Sequence, residues 1–282
     1  MTTPSSPQRI TIAQLQQHKK GGKKPPLVCL TAATYPIAHI IDPHCDVILV
    51  GDSLGMTLYG MDSTHHVTID MMSAHGQAVM RASTHACVII DMPASSCQST
   101  PQHCLNDAQR LLHETHACAV KIEGGAEATE TIALLCAHHI PVMGHIGLMP
   151  QYVSHPQDYR VQGRNASEEK KIIDDAIAVE KAGAFAVVIE SCFEHIAHHV
   201  TERLTIPTIG IGASYHCDGQ ILVTEDMIGL YRAFSPQFVR HYAQISDSID
   251  QAVRQYAHDV RHRQFPEKKH CYDRNAPPHP KT

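Results

Sequence analysis

The chain has 282 residues, 43% of them hydrophobic, with a formal net charge of -5 and 23 histidines. A mean hydropathy of -0.19 and the lack of an uninterrupted apolar stretch of about 18 residues argue against a membrane span. With no tryptophan, 5% aromatic residues and no basic footprint there is little to bind nucleic acid, which leaves small-molecule chemistry as the leading class.

The N-terminus, MTTPSSPQRI, shows neither the basic start nor the apolar stretch of a secretory signal, so a cytoplasmic location is expected. Residues 10–20 (ITIAQLQQHKK) read as a short amphipathic helix. Apolar runs then recur at 26–32, 46–51, 87–92, 118–123, 140–146, 185–190, 206–212 and 220–225. Runs of Val, Ile, Leu and Ala without polar interruption are strands buried on both faces. Helical spacing occupies 70–83, 101–116, 127–138, 167–182 and 192–203. Helix starts are expected at Ser99-Thr100-Pro101 and at Ser167, which is followed by Glu168 and Glu169.

Strand alternating with helix implies right-handed crossovers and a parallel sheet, and eight such units imply a closed (β/α)8 TIM barrel in one domain, residues 10–263. The N-terminal helix would plug the barrel bottom or pack at a subunit interface. A helical extension is expected from Pro236 to Arg263, with residues 1–9 and 264–282 as flexible tails.

Several runs end on chemistry. The second closes on Asp52 and Ser53, the third on Asp91, the fourth on Lys121 and Glu123, the sixth on Glu190. Residues two apart share a strand face, so Lys121 and Glu123 point the same way. In parallel barrels the carboxyl ends of the strands form the mouth of the active site. If Asp52, Asp91 and Glu123 converge there, they repel one another unless a cation sits among them, and oxygen-only ligands select Mg²⁺. Each acid has a plainer reading, Asp52 as a helix N-cap and Glu123 as the start of a turn. Four acids and a lysine all at strand ends make one shared structural explanation poor. Lys121 could form a Schiff base, neutralise a substrate carboxylate or pair with Glu123; a metal makes the Schiff base unnecessary.

Other signals are weaker. GIGAS at 210–214 resembles a phosphate cup but equally suits close packing. His195, His198 and His199 have the helical spacing to hold Zn²⁺ or Ni²⁺, against which stands a solvated helix face, the preferred reading; His65-His66 and His138-His139 are read likewise. Ten cysteines, several inside strands (Cys29, Cys87, Cys118) and none spaced C-x-x-C, read as reduced thiols.

VGDSLGMTLYGMDST (50–64), VKIEGG (120–125), IPVMGHIGLMPQ (140–151), VQGR (161–164), VVIE (187–190), IPTIGIGA (206–213) and DGQILV (218–223) resemble the ketopantoate (3-methyl-2-oxobutanoate) hydroxymethyltransferase family, in order from about residue 10 to 260. The resemblance implies a (β/α)8 barrel that transfers a one-carbon unit from 5,10-methylenetetrahydrofolate to 3-methyl-2-oxobutanoate, giving 2-dehydropantoate on the route to pantothenate and coenzyme A. It implies Asp52 and Asp91 as Mg²⁺ ligands with Glu123 a third acid, bound directly or through water. It further implies Ser53 and Lys121, beside Asp52 and Asp91, as substrate contacts, Glu190 as the proton acceptor, His145 lining the pocket, and a ring-like homo-oligomer, commonly a decamer. The chain departs from the family where TAYDY becomes Thr31-Ala32-Ala33-Thr34-Tyr35, where DLPF becomes Asp91-Met92-Pro93-Ala94, and where GIGAG gains Ser214. These changes predict a wider, less acidic rim.

Two rivals stand beside this reading. Mg²⁺-enolate barrels of the phosphoenolpyruvate mutase and isocitrate lyase group share strand-end acids but usually show a K-[KR]-C-G-H loop, which is missing here. A non-catalytic, His-rich metal-binding scaffold would have no reason to keep like charges buried together.

Overall fold

A computed structural model describes residues 9–19, 24–153, 159–231 and 236–272. The chain divides into two compact units, Met1–Thr224 with Pro236–Val239, and Glu225–Ser235 with Arg240–Thr282.

The first unit is a closed parallel barrel of eight strands in sequence order. They are β1 (Leu27–Thr31), β2 (Val47–Val50), β3 (Cys87–Asp91), β4 (Ala119–Glu123), β5 (Val142–Gly147), β6 (Ala186–Glu190), β7 (Thr208–Ile211) and β8 (Gly219–Leu222). Six lie within the apolar runs, while β5 passes the end of its run by one residue, Gly147, and β8 starts one residue before its run, at Gly219; the pairing of β8 with β1 closes the ring. Because side chains alternate across a strand, the barrel makes two cores. Ile48, Val50, Ile90, Ile122, Val187 and Ile189 face outward into the helix layer. Val47, Leu49, Ile89, Ala119, Met143 and Val188 face inward. The inward series turns from apolar to charged along each strand, Ile89 giving way to Asp91, Ala119 to Lys121 and Glu123, and Val188 to Glu190.

The helices are α1 (Ile12–Gln16), α2 (Tyr35–Ile41), α3 (Leu54–Thr57), α4 (Ile69–Ala82), α5 (Ala94–Cys97), α6 (Pro101–Thr115), α7 (Thr129–Ala137), α8 (Ala166–Lys181), α9 (Glu194–Arg203), α10 (Thr224–Met227) and α11 (Ile245–Arg261). Leu15 of α1 is 2% exposed and joins the inner barrel core with Leu27 and Cys29, as expected of a plug. Thr100 caps α6 by accepting from the His103 amide. The cap of α8 is Asn165 rather than Ser167: the Asn165 side-chain oxygen accepts from the amides of both Ser167 and Glu168, which places Ser167 inside the first turn. The short helices α2, α3 and α5 were not anticipated. Between β7 and β8 the connection, residues 212–218, carries turns and no helix.

The helical extension is shorter than expected. Residues 236–244 form no helix and α11 begins at Ile245. The amides of Tyr242 and Ile245 donate to the carbonyls of Met227 and Ile228 (2.8 and 3.0 Å), so they are not available to a helical ladder. The expected tails fall largely outside the described residues, which omit 1–8 and 273–282. No described helix is long and apolar enough to cross a membrane.

Candidate active site

Strand register brings the charged side chains together. Asp91 is the Cα partner of Lys121 across β3 and β4, Glu123 that of His145 across β4 and β5, and Gly147 that of Glu190 across β5 and β6. Neighbouring inward side chains in such a ladder lie within hydrogen-bond reach. Lys121 Nζ stands 2.7 Å from Asp91 Oδ1 and 3.9 Å from Glu123 Oε1. His145 bridges two acids, its Nδ1 3.2 Å from Glu123 Oε1 and its Nε2 3.3 Å from Glu190 Oε2. Asp52, just beyond β2, is fixed through its own amide, which donates to Asp91 Oδ2 at 3.0 Å. Ser53 follows at the start of α3, where its hydroxyl makes no cap hydrogen bond. A Cβ on Gly51 would stand 3.1 Å from Ser53 Oγ and 3.6 Å from Asp91 Oδ2, so glycine there keeps the floor of the mouth clear.

Backbone geometry holds the Glu190 end. A Cβ on Gly147, whose φ is +89°, would stand 2.3 Å from the Glu190 carbonyl oxygen, so only glycine permits this approach of β5 to β6. Ser191 leaves β6 at a φ of 46° and its amide donates to the Ile211 carbonyl, fixing the turn that follows Glu190.

The electrostatics are those of a buried cluster. Asp52, Asp91, Lys121, Glu123 and His145 are all at least 96% buried, whereas the Glu190 side chain keeps 18% exposure toward the mouth. Burial, then the charges of Asp91 and Glu123, push the Asp52 carboxyl well above the usual carboxylate range against Lys121 and Gln151. Burial also raises Asp91, with Lys121 opposing. For Lys121, burial disfavours the ammonium, but Asp91, Glu123 and Asp52 outweigh it and hold the amine protonated above its ordinary value. A lysine so held does not offer the neutral amine a Schiff base needs. His145 behaves alike: burial and Lys121 act against the imidazolium, and Glu123 and Glu190 win, raising it to about 9. Burial would raise Glu123, yet His145, Lys121 and the Gln151 amide carry it below its ordinary value.

Gln151 is the participant the sequence did not single out. It is 2% exposed, on a short turn after β5. Its amide N–H donates to Glu123 Oε2 (2.9 Å), and its side-chain Nε2 donates to Asp52 Oδ2 and the Met92 carbonyl (both 2.8 Å). Its carbonyl in turn accepts from His65 Nε2 and Gln98 Nε2, so His65, exposed as a solvated face requires, also borders the mouth. Gln151 ends the IPVMGHIGLMPQ motif, but a lone Gln in a loop carries no periodicity to mark it.

The residues suit a divalent cation. Four acids, Asp52, Asp91, Glu123 and Glu190, converge on two basic groups, Lys121 and His145, and the resistance of buried Asp52 to ionising beside Asp91 and Glu123 is what a divalent ion among them would relieve. The acids supply only oxygen donors, and Asp91 Oδ1, its ion pair with Lys121 aside, and Gln151 Oε1 are buried without a hydrogen-bond partner. Hard oxygen donors of this kind fit Mg²⁺.

Beside the cluster opens a cavity of about 530 Å³ lined by His65, Ala94, Ser95, Gln98, Gln151 and Tyr152. Ala94, 5% exposed, is one of its lining residues. Ala33 is not among them: it is 7% exposed, packs in the outer core and its carbonyl meets His75 Nδ1. Gly212 of the GIGAS turn is filled by packing, a Cβ there standing 2.5 Å from the Phe238 ring.

Comparison with known proteins agrees with the geometry. A family model described as Ketopantoate hydroxymethyltransferase matches residues 9–268. The 3-methyl-2-oxobutanoate hydroxymethyltransferase of Rhodospirillum rubrum is 48% identical over 264 residues, covering 94% of this chain and 95% of that protein. The enzyme of the same name from Rhizobium rhizogenes is 50% identical over 272 residues, covering 96% and 98%. Among solved structures, phosphoenolpyruvate phosphomutase from Streptomyces platensis subsp. rosaceus superposes with a TM-score of 0.60 at 13% identity, covering 93% of this chain and 92% of that one, a likeness of fold.

Proposed function

Since the chain belongs to the ketopantoate hydroxymethyltransferase family and is a transferase enzyme, we propose that it moves a one-carbon unit from 5,10-methylenetetrahydrofolate to 3-methyl-2-oxobutanoate, forming 2-dehydropantoate for pantothenate synthesis. The observation that carries this reading is the bridge of His145 between buried Glu123 and partly exposed Glu190, opposite the carboxylates of Asp52 and Asp91.

Asp52, Asp91 and Glu123 would hold Mg²⁺, which when bound polarises the ketone and carboxylate oxygens of a 2-oxo acid. The chain's own groups do the rest. Glu190, the acid that reaches the mouth, takes the proton from C3 of the substrate. His145, its Nε2 3.3 Å from Glu190 Oε2, keeps that carboxylate aimed. Lys121, held as an ammonium by Asp91, offsets the negative charge that grows on the substrate oxygens. The Ser53 hydroxyl contacts the substrate from the start of α3. The resulting carbon nucleophile bonds to the donor's one-carbon unit while that carbon's two bonds to nitrogen break, water supplying the hydroxyl oxygen and tetrahydrofolate leaving; the cavity beside Ala94 and Tyr152 gives the donor room.

The test is proton exchange. Glu190→Gln keeps shape and hydrogen bonding but cannot accept a proton, so deuterium exchange at C3 of 3-methyl-2-oxobutanoate should stop while substrate binding persists. Exchange at the normal rate would assign the base elsewhere. Product mass after incubation with Mg²⁺, the folate donor and 2-oxo acids separates this reading from the lyase and mutase chemistry of the shared fold.

Assembly and location are part of the proposal. Ile249, Val253, Tyr256 and Val260 make an exposed apolar stripe along α11, which supports a homo-oligomer, with a decamer the expected size. A cytoplasmic location fits the small-molecule chemistry.

A further inference from the structure

The β7–β8 connection, having no helix of its own, places one histidine against another from α9. Glu194 and His198 lie one turn apart on α9, and His216 comes from the connection. One ligand atom from each of the three lies within 4.8 Å of the other two. The imidazoles of His198 and His216 stack with centroids 3.9 Å apart and planes 16° from parallel.

The third ligand is already oriented. Ser214, 2% exposed, donates from its hydroxyl to Glu194 Oε1 at 2.8 Å and accepts from the His216 amide at 3.0 Å. One buried hydroxyl thus ties the carboxylate of one ligand to the backbone of another, as the outer partners of metal ligands commonly do. The connection is anchored on either side, with Gln220 Nε2 donating to the Ser214 carbonyl at 2.8 Å and Asp218 accepting from Lys19 Nζ at 2.9 Å. The other α9 histidines differ. His195 and His199 are exposed, as a solvated face requires, while His198 is half-buried and its Nε2 stands 3.5 Å from Glu202 Oε1.

We propose that Glu194, His198 and His216 form a binding site for a borderline divalent ion, Zn²⁺ foremost and Ni²⁺ by the same donor chemistry, separate from the oxygen-only cluster at the barrel mouth. Two neutral imidazoles and a carboxylate are a three-ligand set that leaves a fourth position to water. Ligands about 2.0–2.1 Å from a tetrahedral ion stand about 3.3 Å apart, so the triangle closes by rotating exposed side chains on a fixed backbone. The ion would clamp the β7–β8 connection to α9. Both segments adjoin the wall of the proposed base, since Glu190 pairs with Ile211 and the Ser191 amide donates to the Ile211 carbonyl.

The experiment is a Zn²⁺ titration of the full chain by calorimetry, with excess Mg²⁺ filling the oxygen-only cluster. The wild type should bind one Zn²⁺ equivalent more tightly than the scatter of other histidines. His198→Gln and His216→Gln should each weaken that equivalent at least tenfold, and Ser214→Gly by about tenfold through loss of the outer hydrogen bond. His195→Gln and His199→Gln should leave it intact. One equivalent of Zn²⁺ should raise the Tm of the wild type and not that of His216→Gln. The proposal is overturned if no such equivalent exists, if it survives in both His198→Gln and His216→Gln, or if the His195 and His199 variants lose it equally.

Discussion

Glu123 and His145 are Cα partners on adjacent strands, and the ring that meets Glu123 through Nδ1 at 3.2 Å meets Glu190 through Nε2 at 3.3 Å. A planar ring with nitrogens on opposite sides fixes the spacing of two carboxylates on different strands. Its pKa is raised to about 9, against burial and Lys121, by these same two acids, which favours the charged ring between them. The proposed base is therefore aimed from inside the barrel wall, by a residue that need not touch the departing proton.

His145→Gln tests that aim. The amide cannot span both acids or carry charge, so Glu190 loses its fixed donor and Glu123 its counter-ion. We expect kcat and the rate of C3 deuterium exchange to fall together, on the order of 10²-fold, the scale of one misplaced acid–base group. Exchange at the wild-type rate with slowed turnover would move the role of His145 to a later step.

Gln151→Leu separates metal holding from chemistry. The change removes the donor to Asp52 Oδ2 but keeps the backbone donor to Glu123. Loss of such an outer partner typically costs about 10–100-fold in metal affinity. The Mg²⁺ concentration for half-maximal activity should rise by that factor, with kcat at saturating Mg²⁺ changed only a few-fold. Mg²⁺ titrations by activity and by calorimetry check it, and an unchanged affinity would reduce Gln151 to packing.

What the sequence made legible follows from how the information is stored. The barrel was readable because strands buried on both faces are written as apolar runs, and Asp91, Lys121, Glu123 and Glu190 stood out by interrupting them. The convergence of these residues rests on strand order and register, which follow once the barrel is recognised. Gln151 and His216 stayed hidden because both lie on turns and act on partners distant in sequence, Asp52 in one case and His198 in the other. Helix α2 was missed for a local reason: it is seven residues long and carries proline in its first turn, where periodicity is too brief to see.

Asp42 gives a prediction of pH dependence remote from the mouth. It is 4% exposed and accepts from Ser83 Oγ (2.5 Å) and from the amides of Thr84, His85 and Ala86 (2.8, 2.9 and 2.9 Å). Burial alone would raise the carboxyl; the bonds from Ser83, Thr84, Ala86 and His85 prevail and lower it. A group depressed in the folded state contributes stability above its unfolded value, about 3.9, and loses it as pH falls through the folded value. Asp42→Asn should cost about 1–3 kcal/mol at neutral pH, because its amide cannot replace the lost acceptor. The gap in urea midpoint between the two proteins should hold from pH 7 to 5 and narrow below about pH 4; a gap undiminished at pH 3 would contradict the assignment.

If the cavity lining sets substrate range, the altered positions Ala94 and Ala33 should behave oppositely. Ala94 lines the cavity of about 530 Å³, so Ala94→Phe has space to enter and should exclude bulkier 2-oxo acids. The ratio of kcat/KM for 3-methyl-2-oxobutanoate over a homologue one methylene longer should rise by about tenfold, the lower end of what a methylene in a pocket discriminates. Turnover of the smaller substrate should change little, because in the proposed chemistry the growing negative charge would be met by Lys121 and by the divalent ion that Asp52 and Asp91 would hold, and not by the rim. Ala33 is packed in the outer core with His75 on its carbonyl. Tyr placed there should overpack that layer and destabilise the fold by about 1–3 kcal/mol without narrowing the mouth. A stable Ala33→Tyr protein with sharpened selectivity would show that this segment opens onto the mouth after all, and the division between rim and core drawn here would fail.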